Sequence, residues 1–143
     1  MGTIQRKSLL IILFLFVFEI IGCGNNILDG KEIVEVKLEC AELCKTMKTP
    51  PFSTKIVAHE QADEIRAFER AIGKATKING ELDYGAMFFM YLTFEDDAQK
   101  KYVLNVADEE GTTALLVDTA NSGQGYTIPK EQTNELRKII YNN

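Results

Sequence analysis

Alternation of apolar side chains with period two, sustained through the middle of the chain, narrows the possible folds more than any other feature. In "AMFFMYLTFEDD" Phe88, Met90, Leu92 and Phe94 fall on one side of an extended backbone, and Met87, Phe89, Tyr91 and Thr93 on the other. Such a run reads as a strand covered at least partly on both faces. "DDAQ" turns the chain, and "KKYVLNVADEE" returns with Tyr102, Leu104 and Val106 set against Val103, Asn105 and Ala107. "DEEG", whose Gly111 can take the left-handed backbone of a tight connection, leads into "TTALLVDT". A further turn, "ANSGQG", precedes the short strand "YTI". Strands joined by connections this short pair antiparallel.

The flanks supply the other layer. "EIVEVKLEC" alternates from Val34 on and predicts one more strand. Pro50 and Pro51 in "KTPPFS" can continue neither a helix nor a central strand, so they divide this element from the next. From Glu60 the period becomes that of a helix: Ile65, Phe68, Ile72 and Ala75 line one face, and Asp63, Glu64, Arg66, Glu69, Arg70 and Lys74 take the others. Acid sits in its first turn, and Lys74 and Lys77 at its end, as the helix dipole prefers. "KINGELDYG" ends it. Pro129 suits a first helical turn and opens "PKEQTNELRKIIYNN", where Leu136, Ile139 and Ile140 form an apolar stripe. The expected fold is α+β, an antiparallel sheet of about four to five strands with two helices on one face.

The N-terminus is of another kind. Arg6 and Lys7 precede "LLIILFLFVFEII", apolar from Leu9 to Ile21 except for Glu19, a charged n-region and an h-region. A membrane-spanning helix needs about 20 apolar residues, so this run is short for an anchor. Gly22 and Cys23 end it, and "IIGC" resembles the bacterial lipobox, in which a cysteine thiol is joined to diacylglycerol before cleavage on its N-terminal side. An ordinary secretory signal and an uncleaved anchor are the competing readings. The lipoprotein reading divides the chain into a signal peptide over 1–22, a lipidated N-terminus and flexible tether over 23–32 ("GNNILDGKE" is polar and glycine-bearing), and a single domain over 33–143. Two acyl chains on Cys23 would hold it at the extracytoplasmic face of the cell membrane, where one chain would not. Loss of Arg6, Lys7 and Glu19 changes the net charge from −5 to −6, which argues against nucleic acid as a partner.

Cys40 and Cys44 remain. In a helix their Cβ vectors run nearly parallel and bridge poorly; in a turn they bridge easily. A local disulfide and two separate thiols both stand, and metal or redox work would need His59, 15 residues beyond Cys44.

The segments "EIRAFERAI", "GAMFFMYLTFED", "KKYVLNVADEEGTTALLVDT" and "GYTIPKEQTNELRKII" are similar in order and texture to the YhfM-like domain of small lipoproteins from Gram-positive spore-formers, over residues 52–141. The resemblance implies a compact α+β domain behind a lipobox and transfers no catalytic residue. Cys40 and Cys44 lie outside the stretch it covers.

Chemistry is sparse. Beyond Cys23 the serines are Ser53 and Ser122, with His59 as the sole histidine, and "NSGQG" lacks the glycine of a nucleophile elbow. A Cys–His pair of Cys40 or Cys44 with His59 is one alternative, and a cap or surface role for His59 is the plainer one. "SGQGYT" has no third glycine or lysine and reads as a turn rather than a phosphate cradle. "EDD" at 95–97 and "DEE" at 108–110 read as solvated loops, with a shared calcium ion as the alternative. Phe88, Phe89, Tyr91 and Phe94 read as core before ligand platform. No catalytic residue, cofactor or metal is expected. The expected role is a non-enzymatic surface lipoprotein binding a protein or envelope component; the alternative is a small extracytoplasmic thiol or redox protein using Cys40, Cys44 and His59.

Overall fold

The computed structural model describes residues 25–141. The signal-peptide and lipidation assignments at residues 1–23 lie outside the described residues. Strand β1 (Ile33–Cys40) is followed by a one-turn helix α1 (Glu42–Lys45), β2 (Thr54–Val57) and helix α2 (Ala62–Gly73). Then come β3 (Thr76–Lys77), β4 (Phe88–Phe94), β5 (Gln99–Asn105), β6 (Ala114–Asp118), a 3₁₀ turn (Thr119–Asn121), β7 (Gly125–Ile128) and α3 (Lys130–Tyr141). The seven strands form one antiparallel sheet in the order β2-β1-β4-β5-β6-β7-β3.

Seven strands and three helices correct the expectation of four to five strands and two helices. The two additional strands are short edge strands with little apolar signal of their own. β2 buries only Val57, and β3 is two exposed residues whose pairing comes from Thr127 and Tyr126. The added helix is four residues long, too short to display a helical period. The meander β4 to β7 follows the alternation seen in the sequence.

One face of the sheet holds the core. Phe88, Met90, Leu92 and Phe94 all point to it, as do Val36 and Leu38 of β1, Leu104 of β5, Leu116 of β6 and Ile128 of β7. Ile33 joins them despite the odd spacing to Val36, because a register irregularity between Ile33 and Glu35 inserts one extra residue. Helices α2 and α3 cover this face side by side. Phe68 is fully buried and Ile65 and Ile72 nearly so, whereas Arg66 is exposed and pairs with Asp63 one turn away. Leu136 and Ile140 of α3 complete the layer, and Ile139 is half-buried at its margin. Arg70 of α2 and Glu135 of α3 are bridged at 2.7 Å on the outside, a surface pair that contributes little.

Over its described part, the stretch expected to be a flexible tether is fastened to the domain. Asn25 donates from Nδ2 to the carbonyls of Ile72 and Ala75, both at 2.7 Å, capping the end of α2. Ile27 and Leu28 pack against the core. Lys31 pairs with Asp96 at 3.1 Å, and Glu95 donates its N–H to the carbonyl of Glu32. A polar, glycine-bearing composition therefore hides two apolar residues and one capping asparagine that find partners only in the folded domain.

Candidate functional site

The opposite face of the sheet is covered over only half its width. Residues 78–87 run across the β6–β7 side, where the side chain of Leu82 lies against Gly125. Asn105 holds this segment with both ends of its amide: Nδ2 donates to the carbonyl of Gly85 at 2.7 Å, and Oδ1 accepts the N–H of Met87 at 2.8 Å. Val103 and Val117, paired on this face, are buried.

Beyond Asn105 nothing among the described residues covers β4, β1 and β2. The strand register lines up Ile56, Lys37, Tyr91 and Lys101 as one row crossing four strands, with Glu39 and Phe89 in the next row. Ile56, on the edge strand β2, is 53 % exposed. The ammonium of Lys101 sits 4.1 Å from the ring centre of Phe89 and 5.4 Å from that of Tyr91; the ammonium of Lys37 is 5.3 Å from Tyr91. These are cation–π distances. Glu39 ties the cluster together, accepting from Lys37 at 2.9 Å and from the Tyr91 hydroxyl at 3.3 Å. The hydrogen bond from Lys37, and then its charge, holds the Glu39 carboxyl below its ordinary range and raises Lys37 correspondingly. Both groups stay charged at neutral pH, on a surface that alternates aromatic ring and ion.

Of the aromatic residues read from the sequence as core before platform, Phe88 and Phe94 are core and Phe89 and Tyr91 line this open face. Cys40 and Cys44 are joined by a disulfide with Cα atoms 5.3 Å apart. Cys40 ends a strand and Ala41 is still extended, so the two Cβ atoms do not run parallel as they would along one helix. His59 is exposed beyond β2, beside Glu32 and Ile33 at the opposite end of β1 from Cys40. The seven-residue separation along that strand is about 23 Å, so the structure does not bring the histidine to the sulfurs. Ser53 and Ser122 are exposed, the one just before the edge strand β2 and the other between β6 and β7 on the far side of the sheet. The two acidic clusters lie at opposite ends of β5, at the β4–β5 turn and the β5–β6 connection, so one ion cannot be shared between them. Among the described residues no group of three or more metal-ligating side chains is assembled.

A family model described as YhfM protein matches residues 41–143. The chain belongs to the YhfM family. No curated protein and no solved structure matches it. The YhfM match begins eleven residues before the resemblance read from the sequence, so it also takes in Cys44 and all of α1, with β1 as the sheet strand outside it. The open face of the YhfM domain thus joins residues inside the match, Ile56, Tyr91 and Lys101, to Lys37 and Glu39 just before it. Sequence reasoning left Lys37 and Lys101 unremarked. The signal lay in the alternation of "EVKLE" and "KKYVL", which puts both lysines on polar faces, but which rings they meet depends on cross-strand register.

Proposed function

We propose that this chain is a membrane-anchored surface lipoprotein, with a signal peptide over 1–22 and diacylglycerol on Cys23, whose YhfM domain is a non-enzymatic module binding a component of the cell envelope. The observation that carries the binding role is the uncovered half of the back face. Two lysines are stacked over Phe89 and Tyr91, an exposed isoleucine extends the row, and nothing among the described residues shields it. A continuous mixed surface of this kind is where recognition is expected on an otherwise well-covered domain. Anchoring is supported by the order of n-region, h-region, Gly22 and Cys23. An extracytoplasmic site is supported by the Cys40–Cys44 disulfide, since such bonds persist in oxidising compartments.

A photoactivatable phenylalanine analogue placed at Tyr91 in intact cells tests the binding role, with Asp63 on the outer face of α2 as control. A discrete crosslinked species from position 91 and none from 63 is the expected result. Equal or absent crosslinking from both sites sinks the assignment of this face. Labelled fatty acid on the wild type and none on Cys23→Ala is the expected result for the anchor.

A further inference from the structure

We propose that the membrane meets the domain at the corner where α2 ends and α3 begins, so that the sheet stands on its β3 edge against anionic phospholipid and holds its open face away from the bilayer. The proposal rests on the lipidation of Cys23 proposed above and adds an orientation to it.

Asn25 fixes the geometry. Its side chain is bonded to two carbonyls at the end of α2, and its own Oδ1 accepts the N–H of Ile27 at 3.1 Å, so the chain is fixed to the domain from this residue on. Cys23 lies two residues earlier. Two peptide units span at most about 7 Å, so a lipid on Cys23 enters the bilayer within that reach of Asn25, whose side chain is bonded to the α2 terminus. No long spacer is left to let the domain tumble.

The chemistry of this corner suits a phosphate surface. Asn25, Gly73, Lys74, Ala75, Thr76, Lys77 and Pro129 line a shallow cleft there, and Lys130 follows Pro129 at the start of α3. Lys74, Lys77 and Lys130 are all exposed, and among the described residues none of them is ion-paired. Glu131, next in the first turn of α3, still leaves the three lysines in excess. The domain as a whole is acidic, so a lysine cluster at the one point nearest the anchor gives it a preferred side toward anionic headgroups. A bilayer, rather than a soluble anion, is the occupant because the chain itself delivers the corner to it.

The sheet order then sets where everything else points. β3 and β2 are opposite edges, separated by six strand spacings; at roughly 4.8 Å each this is about 29 Å. Tyr91, on β4, stands four spacings from β3, about 19 Å along the sheet. The folded sheet acts as the spacer that the short segment 23–32 cannot be.

The test uses the lipidated protein in vesicles of phosphatidylglycerol and phosphatidylcholine carrying a headgroup-attached quencher. Thr76→Cys and Ile56→Cys each receive a fluorophore. Quenching at position 76 is expected to exceed that at 56 by about threefold or more, since the edges are six strand spacings apart. Combining Lys74→Glu, Lys77→Glu and Lys130→Glu is expected to narrow that difference while the thermal transition stays in place, and an unchanged difference overturns the role of the lysines. Equal quenching at the two positions, on protein whose mass includes diacylglycerol, overturns the orientation and leaves the anchor standing. Protein whose mass lacks diacylglycerol at Cys23 overturns the anchor and the orientation with it.

Discussion

Tyr102 is 1 % exposed at the centre of the sheet, yet its hydroxyl has no hydrogen-bond partner among the described residues. Burial, followed by the charges of Asp118 and Tyr126, pushes its pKa up to about 12. Tyr141, whose hydroxyl donates to the carbonyl of Val106 at 2.7 Å, is pushed to about 12 by burial and by Asp108, with Arg137 opposing. Both exceed the ordinary tyrosine value of about 10. Between about pH 10 and about pH 12 the unfolded chain has released protons that the folded chain keeps, so stability falls as pH rises through that window. Tyr102→Phe removes a buried hydroxyl with nothing to bond. It is expected to leave stability at pH 7 unchanged or raised by up to about 1 kcal/mol, and to make the alkaline fall shallower. Denaturant titration at pH 7 and pH 11 checks this; a loss above about 1 kcal/mol at pH 7 means the hydroxyl is bonded after all.

Elements here are matched to one another through small numbers of side chains. The 78–87 segment closes the β6–β7 side of the back face because β7 starts with a glycine. A Cβ at Gly125 would come within 2.8 Å of Leu82 Cδ1 and 3.3 Å of Leu115 Cδ1. The nearest atom is the tip of a flexible side chain, so Gly125→Ala is expected to cost about 1 kcal/mol, near the lower end for overpacking. In a Leu82→Ala background the same change should cost less, giving a favourable coupling in the double-mutant cycle. Additive effects would place Leu82 elsewhere. The Cys40–Cys44 bridge works at the same scale. It pins α1 to the end of β1, and with Cys44 fully buried it makes that one turn of helix part of the core. Closing so short a loop contributes about 2 kcal/mol by chain entropy.

For the whole molecule, the attachment of residues 25–32 decides how the domain is presented. Limited proteolysis of the intact protein is expected to trim no further than residue 25, because Asn25, Ile27, Leu28 and Lys31 are all engaged. Asn25→Ala should expose the segment, and cleavage between 25 and 32 should then appear while the sheet stays folded. Cleavage there in the wild type, at a rate equal to that of Asn25→Ala, would show the segment loose. The exposed back face is the other property of the whole. It exists because the two long helices both cover one side of a sheet seven strands wide, and the 78–87 segment reaches only part of the other.

Alternation between Met87 and Thr119 was enough to define the first strands of the meander and the two faces of each, though not which face stays open, and the helical period from Ile65 to Ala75 defined the buried side of α2. These are local facts: period two and period 3.6 are properties of a few consecutive residues. The sequence also carried the apolar run ending at Gly22 and Cys23, which motivates the lipoprotein proposal. Tertiary structure alone decided the rest. β2 and β3 exist because neighbours offer free edges to segments of four and two residues with little pattern of their own. Cys40 meets Cys44 because the chain leaves a strand between them. Asn25 is a cap only because α2 ends where it arrives. The row of Ile56, Lys37, Tyr91 and Lys101 comes from four separate strands, brought level by register, and pairing across strands cannot be read from any one of them.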